Sequence, residues 1–313
     1  MPTSRNVLRQ GDGLKLNRRP QEQFKETDLP AKLTTNAMKS YVINLDRSPD
    51  RWQRMVDRLN SIGAAFERVP AVDGRLLSDA EIWDVHKPVA GAATMTPEEV
   101  GCFLSHRKCW ERIVSGPDAY GCVFEDDMLI SKQAALFLGE DTCWIPADAD
   151  IIKIEAVPGR AWLDRVISPL PGTFKLAVLR SFLWGSGGYI LSKVAAERLL
   201  ALTRVFSDAV DHVKFNPACG IARSLKSYQV IPALCVQTQV FYPNGSNLID
   251  APALAMHSDP RFPENLENRP WLERKVLRAF HRVAHRLRRH WRTEILFADQ
   301  PAAFGHTQGR SVC

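Results

Sequence analysis

Gly121-Cys-Val-Phe-Glu-Asp-Asp127 decides the reading of this chain: a short apolar run that ends in three consecutive carboxylates. Such a run, opened by a glycine and closed by charge, reads as a buried strand. The acids at its tip repel one another and lose hydration together, a cost that a divalent cation offsets. Hard oxygen ligands at the carboxyl edge of a sheet suit Mn²⁺ or Mg²⁺. The bland alternative is a solvated turn into an acidic helix that opens near Ser131.

Immediately upstream, Thr96-Pro-Glu-Glu99 has the form of a capping box with proline at the first helical position. Val100, Phe103, Leu104, Trp110, Ile113 and Val114 follow at helical spacing, and Gly116 is a natural stop. A capped helix of about five turns therefore feeds the acidic strand. Gly101, Ser105 and His106 lie on it, where packing alone asks for neither a glycine nor a polar pair. Cys102, His106 and Cys109 share one face, but zinc needs a fourth ligand and a supporting shell, so they read as buried small cysteines beside a polar histidine.

Further out, Ser40–Leu45 reads as a first buried strand and Pro49–Ser61 as a helix capped by Ser48 and stopped by Gly63. Phe66–Val72 is a second strand, and Ser78-Asp-Ala-Glu81 opens a short helix. A helix near 131–139, strands in Asp150–Glu155 and Ser181–Leu191, a helix from Ser192 to Leu202 and a strand in Ser227–Val236 follow. Strands alternating with helices predict an α/β domain with a mostly parallel sheet covered on both faces.

A hydrophobic fraction of 45% with 24% charged residues is that of a globular domain. No apolar run approaches the ~18 residues of a membrane span, and the start has no signal-peptide core. Seven cysteines without a Cys-x-x-Cys pair fit reduced thiols and a cytoplasmic setting. Residues 271–292 hold eight Lys and Arg and a single Glu, a net of +7 against +6 for the whole chain. The excess charge belongs to one segment, which argues against a nucleic-acid groove across the fold.

Several blocks in order resemble glycosyltransferase family 25: Tyr41-Val-Ile-Asn-Leu-Asp-Arg-Ser48 with Asp50-Arg51, Ala71-Val-Asp-Gly74, Glu99-Val-Gly-Cys-Phe-Leu-Ser-His106, Glu125-Asp-Asp127, Gly187-Gly-Tyr-Ile-Leu-Ser192 and Val210-Asp-His212. The resemblance covers residues 39–250 and implies a Rossmann-type sheet of the GT-A kind. It also implies transfer of galactose or glucose from a UDP-sugar to a saccharide or lipid-linked acceptor, as in lipooligosaccharide or lipopolysaccharide synthesis. Glu125 and Asp127, two apart on a strand, share a face and match the acidic-x-acidic metal signature of that fold. Asp127 is then the direct ligand of Mn²⁺ or Mg²⁺, with Glu125 a ligand directly or through water. Asp126 points the other way, to ribose or a structural partner.

Asn44, Leu45, Arg47 and Arg51 lie where α/β folds bind nucleotides, and the arginines suit a pyrophosphate or base edge. Asp73-Gly74 is a β-turn pair that the resemblance turns into a donor contact. Ser105 and His106 belong to another such block, His106 orienting a loop or donor phosphate. Gly187 and Gly188 allow close backbone approach to a sugar or form a bulge. An inverting transferase also needs a general base, for which Asp211 is the first candidate and Glu155 the second. Rival readings are a nucleotidyltransferase, against which the turn after the first strand lacks glycine, and a non-catalytic surface-binding protein.

Residues 1–38 are expected to be a disordered extension and 251–270 a loop-rich linker. In 271–313, Leu272, Val276, Leu277, Phe280, Val283, Ala284, Leu287 and Trp291 recur every three or four residues opposite the arginines. That is a basic amphipathic helix suited to an anionic membrane surface, with Trp291 near the headgroups and the protein peripheral at the inner face of the cytoplasmic membrane.

Overall fold

Strand β1 (Lys39–Asn44) runs parallel to β2 (Phe66–Pro70) on one side and to β3 (Tyr120–Glu125) on the other, with Ile43 opposite Glu125. The structure, a computed structural model, describes residues 38–89, 94–242 and 290–300. Helix α1 (Pro49–Ser61) makes the first crossover, burying Met55 and Leu59 one turn apart. Ser48 precedes it without a side-chain cap, and its carbonyl accepts from Asn44 Nδ2 at 3.0 Å instead. After the short α2 (Asp79–Val85), α3 (Pro97–Ser115) makes the second crossover. The capping boxes expected at Ser78/Glu81 and Thr96/Glu99 are both formed.

The remaining strands are β4 (Met128–Ile130), β5 (Ile151–Lys153), β6 (Glu155–Ala156), β7 (Arg160–Pro169), β8 (Lys175–Leu179), β9 (Gly188–Ser192), β10 (Ser227–Ile231), β11 (Cys235–Gln237) and β12 (His290–Glu294). Helices α4 (Lys193–Leu202), α5 (Val210–Phe215), α6 (Gly220–Arg223) and α7 (Thr238–Phe241) complete the described elements. Nine strands form one sheet in the order β12-β7-β8-β10-β5-β9-β3-β1-β2, and β4-β11-β6 form a second. The large sheet is mixed, not mostly parallel: β1 is parallel to β2 and β3, and β10 to β5, while the other neighbours are antiparallel. Strand β9 sits between β3 and β5 and runs against both.

Both faces of the sheet are buried, as expected. Tyr41, Ile43, Val123, Ile151, Tyr189 and Leu191 enter one core, while the intervening Val42, Cys122, Phe124, Ile152 and Ile190 enter the other. Other expectations are revised. Residues 181–187 are a loop and only 188–192 are strand; the helix expected at 131–139 is a 3₁₀ turn over Lys132–Leu136; and the β7–β8 hairpin lies where no strand was foreseen. Trp291 is not on a helix near headgroups. It lies in β12, opposite Leu163 of β7, and its Nε1 donates to the Asp164 carbonyl at 3.1 Å. Residues 1–37 and 243–289, which hold the rest of the expected extension, linker and basic helix, are outside the described residues. Among those described, no helix is long and apolar enough to cross a membrane.

The segment Val72–Gly74 lies directly on α3, backbone against backbone. A Cβ on Gly101 would come within 2.6 Å of Gly74 N and 2.7 Å of the Val72 carbonyl oxygen. In an isolated helix Gly→Ala gains about 1 kcal/mol, but here overpacking against backbone costs roughly 1–3 kcal/mol or more. Gly101→Ala should therefore lower the melting temperature by several degrees, at about 2–4 °C per kcal/mol. An unchanged or raised melting temperature in a calorimetric scan would contradict this crossing.

Candidate active site

The parallel register that puts Ile43 opposite Glu125 also puts the next pair, Asn44 and Asp126, side by side at the carboxyl ends of β1 and β3. Asn44 Nδ2 donates to Asp126 Oδ2 at 2.7 Å, and Arg51 from the first turn of α1 donates to Asp126 Oδ1 at 3.0 Å. Asn44 Oδ1 accepts from Arg68 Nε at 2.9 Å, so a β2 arginine that the sequence did not single out fixes the amide. Arg51 also reaches Asp127 Oδ2 at 3.8 Å. Strand β3 ends at Glu125 and Asp126-Asp127 form a turn, so the two-residue strand period does not extend to Asp127. Asp126 meets the expected structural partners, yet Asp126 and Asp127 share Arg51, while Glu125 turns away to His106.

That Glu125 contact is made by α3. His106 is fully buried, its Nε2 3.2 Å from Glu125 Oε1 and its Nδ1 2.9 Å from the Tyr189 hydroxyl. Trp110, one turn on, donates its indole N–H to the same hydroxyl at 2.8 Å. Lys153 of β5 is opposite Tyr189 of β9, and its ammonium donates to Glu155 Oε2 at 2.8 Å and to the Gly185 carbonyl at 2.6 Å. Lys214 of α5 is fully buried, and its Nζ has no hydrogen-bond partner among the described residues; it sits 3.6 Å from the centre of the Tyr189 ring.

The Asp127 backbone is held by the start of α7, where its carbonyl accepts from Thr238 N at 2.9 Å and Thr238 Oγ1 at 2.6 Å. The Asp127 carboxylate Oδ1 is buried with no hydrogen-bond partner among the described residues. The side chains of Glu125 and Asp127 keep 24% and 15% of their surface, against 9% for Asp126, so two of the three acids open outward. Burial, then the nearby Glu125 charge, pushes the Asp127 carboxyl up to about 8. Burial also raises Glu125, opposed by the charges of Lys214 and Lys153. The same desolvation lowers Lys214 to about 7, with Lys153 repulsion adding to it. His106 is held well below its ordinary value by burial and by Lys214, so its ring is neutral.

The other expected site residues divide by what their atoms already do. Arg47, exposed in the turn after Leu45, pairs with Asp73, joining the two loops that rim the carboxylates. Ser105 is buried, accepting from Val72 N at 2.8 Å and donating to the Gly101 carbonyl at 2.7 Å. Ser105 and Gly74 thus place the Asp73 loop on α3. Gly187 and Gly188 are close-approach positions, but what approaches is protein: a Cβ would strike Met128 Sδ and Cys235 Sγ, leaving no room there for a sugar. Glu155 is fully buried, with Oε2 accepting from Lys153 and from Gly187 N at 3.1 Å. Asp211, half-buried, accepts from Gly185 N at 3.1 Å and His212 N at 2.8 Å, tying the 181–187 loop to α5. Cys102, His106 and Glu125 present ligand atoms within 4.8 Å of one another, so the carboxylate, not Cys109, joins the pair. Lys214 acts electrostatically on all three, which opposes a second cation at that spot.

Carboxylates with an adjacent arginine at the carboxyl ends of parallel strands occupy the place where α/β folds bind nucleotides. The family model for "Glycosyltransferase family 25 (LPS biosynthesis protein)" matches residues 37–214, a span that contains every group just described except Thr238 and Cys235. The chain belongs to glycosyltransferase family 25. Among its relatives, the lacto-N-neotetraose biosynthesis glycosyltransferase LgtE of Neisseria meningitidis serogroup B is 29% identical over 211 residues, 64% of this chain and 74% of that protein. The lipooligosaccharide biosynthesis protein lic2B of Haemophilus influenzae is 32% identical over 166 residues, 50% of this chain and 60% of its own. A bovine relative, named probable inactive glycosyltransferase 25 family member 3, is 30% identical over 171 residues, 51% of this chain and 28% of that one.

The Asp127 carboxyl gives a signed stability prediction. Its value rises from 3.8 unfolded to about 8 folded, so the folded state binds the proton more tightly. Stability without metal therefore falls as pH rises through that window, and the cost is complete above about 8. Asp127→Asn removes the charge and should raise the metal-free melting temperature at pH 8.5 by a few degrees, with less gain at pH 5. A fall at pH 8.5, or a gain equal at both pH values, would count against a strained carboxylate.

Proposed function

We propose that this protein transfers a hexose from a UDP-sugar to a saccharide acceptor in lipooligosaccharide or lipopolysaccharide synthesis, with inversion, at a GT-A-type site built on the β3 carboxylates. The observation that carries the reading is Asp127: a buried, unpartnered oxygen beside a second carboxylate, both opening outward. An oxygen donor set of this kind, raised by burial and mutual repulsion, fits Mn²⁺ or Mg²⁺. Asp127 would hold the ion and Glu125 would support it with the oxygen not engaged by His106. Such an ion supplies charge neutralisation for a diphosphate leaving group.

The chain's own residues do the rest. Arg51 anchors Asp126 and reaches Asp127, so it keeps a cation at the rim facing the donor phosphates. Arg47, in the turn after β1 and paired with Asp73, lies on the same rim. Asp211 is the base of choice over Glu155, because it is half-buried and two backbone donors leave lone pairs free. It takes the acceptor hydroxyl proton as that oxygen bonds the anomeric carbon and the bond from this carbon to the phosphate oxygen breaks. Two relatives named for lacto-N-neotetraose and lipooligosaccharide biosynthesis support a saccharide acceptor of that kind, and the inactive naming of a third makes turnover the decisive readout.

The test is transfer and hydrolysis across a UDP-sugar panel with Mn²⁺. A UDP-hexose should be turned over; Asp127→Ala should lose about 10³-fold or more in kcat, and Asp211→Asn roughly 10²–10⁴-fold with KM little changed. No turnover with any donor, or near-normal Asp127→Ala turnover, would contradict the reading. For an acceptor in a membrane, the basic stripe of 271–292 is the proposed attachment. Because β12 begins at His290, its arginines are better neutralised than deleted. Replacing Arg278, Arg282, Arg286 and Arg289 with Gln should abolish flotation with anionic liposomes and leave the melting temperature unchanged, each charge contributing about 1 kcal/mol near the surface. Equal flotation of the two proteins would refute the attachment.

A further inference from the structure

Four side chains from three elements form an unbranched chain of contacts: Trp110 Nε1 to Tyr189 Oη at 2.8 Å, Tyr189 Oη to His106 Nδ1 at 2.9 Å, and His106 Nε2 to Glu125 Oε1 at 3.2 Å. Trp110, Tyr189 and His106 are all fully buried, so each proton must find its acceptor within the protein. The direction of every bond follows from what each group is able to do. An indole N–H only donates, so Tyr189 Oη accepts from Trp110. The phenol then has one proton to place, and His106 Nδ1 is the remaining partner of that hydroxyl among the described residues. The opposite arrangement, with Nδ1–H donating to the phenol, would leave a buried O–H without an acceptor, which costs about 1–3 kcal/mol.

We infer that Tyr189 is a positioning residue: its hydroxyl donates to the unprotonated Nδ1 of His106 and holds the ring, so that the neutral Nε2–H tautomer, which Glu125 also requires, grips Oε1 and leaves the other carboxylate oxygen to the ligand site. The hydrogen bonds run one way, Trp110 to Tyr189 to His106 to Glu125, so the carboxylate is the terminal acceptor. The packing shows why these residue types occur together. Val123 is opposite Tyr189 in the β3–β9 register, and Glu125, two residues on, lies on the same sheet face, beneath which α3 passes with His106 and Trp110 one helical turn apart. Phenylalanine at 189 would fill the same volume and break two of the three links. This inference rests on the proposed cation site only for its consequence; the tautomer itself does not depend on any metal.

The experiment is ¹⁵N-resolved NMR of metal-free protein, with His106 assigned by its loss in His106→Gln. His106 should show a pyridine-type Nδ1 and a pyrrole-type, protonated Nε2. In Tyr189→Phe the Nε2–H tautomer should stay, because Glu125 still accepts from it, but Nδ1 should lose its hydrogen-bonded shift, and Mn²⁺ affinity, read by paramagnetic relaxation without any sugar donor, should fall roughly 10–100-fold, the usual cost of removing an outer partner of a ligand. Trp110→Phe keeps the Tyr189–His106 bond and should keep the Nδ1 shift. A protonated Nδ1 in the wild type, or a Tyr189→Phe protein with Nδ1 shift and Mn²⁺ affinity both unchanged, overturns the inference. The predicted tautomer, with the Nδ1 shift changed in Tyr189→Phe, in a protein that turns over no UDP-sugar would support the positioning chain while contradicting the proposed reaction.

Discussion

Three carboxylates in sequence at the end of a buried strand cannot share one environment, and the fold separates them by giving each different partners. Glu125 is taken by His106 of α3, Asp126 by Asn44 of β1 and Arg51 of α1, and the Asp127 backbone by Thr238 behind it. Two crossover helices, a neighbouring strand and the start of α7 are all recruited to that one turn. What is left over is Asp127 Oδ1, buried and without a hydrogen-bond partner among the described residues. In a protein selected only for stability such an oxygen would be paired or replaced, and that is what motivates the proposed cation site.

The charge beneath the site follows the same logic on a larger scale. Lys153 and Lys214 are both fully buried, yet among the described residues only Lys153 has direct acceptors, in Glu155 and the Gly185 carbonyl. Lys214 lies on the Tyr189 ring face and acts at a distance on Glu125, which lowers the cost of a carboxylate there. Buried charge of this kind is weak evidence for stability, since breaking one member strands another. It fits better the electrostatic floor of the proposed donor and cation site.

Much of this was legible locally. Thr96 and Glu99 announce α3 because a capping box needs only four residues, and the Gly121–Asp127 run announces β3 and its acids for the same reason. Glu125 and Asp127 were expected to share a face because a strand was extended two residues too far; the turn at Asp126-Asp127 depends on β4 and β11, which no local signal reveals. Tyr189 belongs to a block that stood out for its glycines, Lys153 interrupts an apolar strand, and nothing in the sequence around Lys214 marks it as buried. Their importance comes from register, Val123 to Tyr189 to Lys153 across three strands, and antiparallel insertion of β9 is a long-range fact. Gly187 and Gly188 were recognised as close-approach positions, but only the fold shows that Met128 and Cys235 take the space.

The proposed reaction requires the turn after β3 to hold one divalent cation through Asp127. Electron paramagnetic resonance of Mn²⁺ titrated into the purified protein, with UDP present, measures this directly. The expected result is one saturable Mn²⁺ per chain, lost in Asp127→Asn but retained when the exposed Asp46 is changed to Asn. Saturable binding that survives Asp127→Asn, or no bound Mn²⁺ in the wild type, would contradict it.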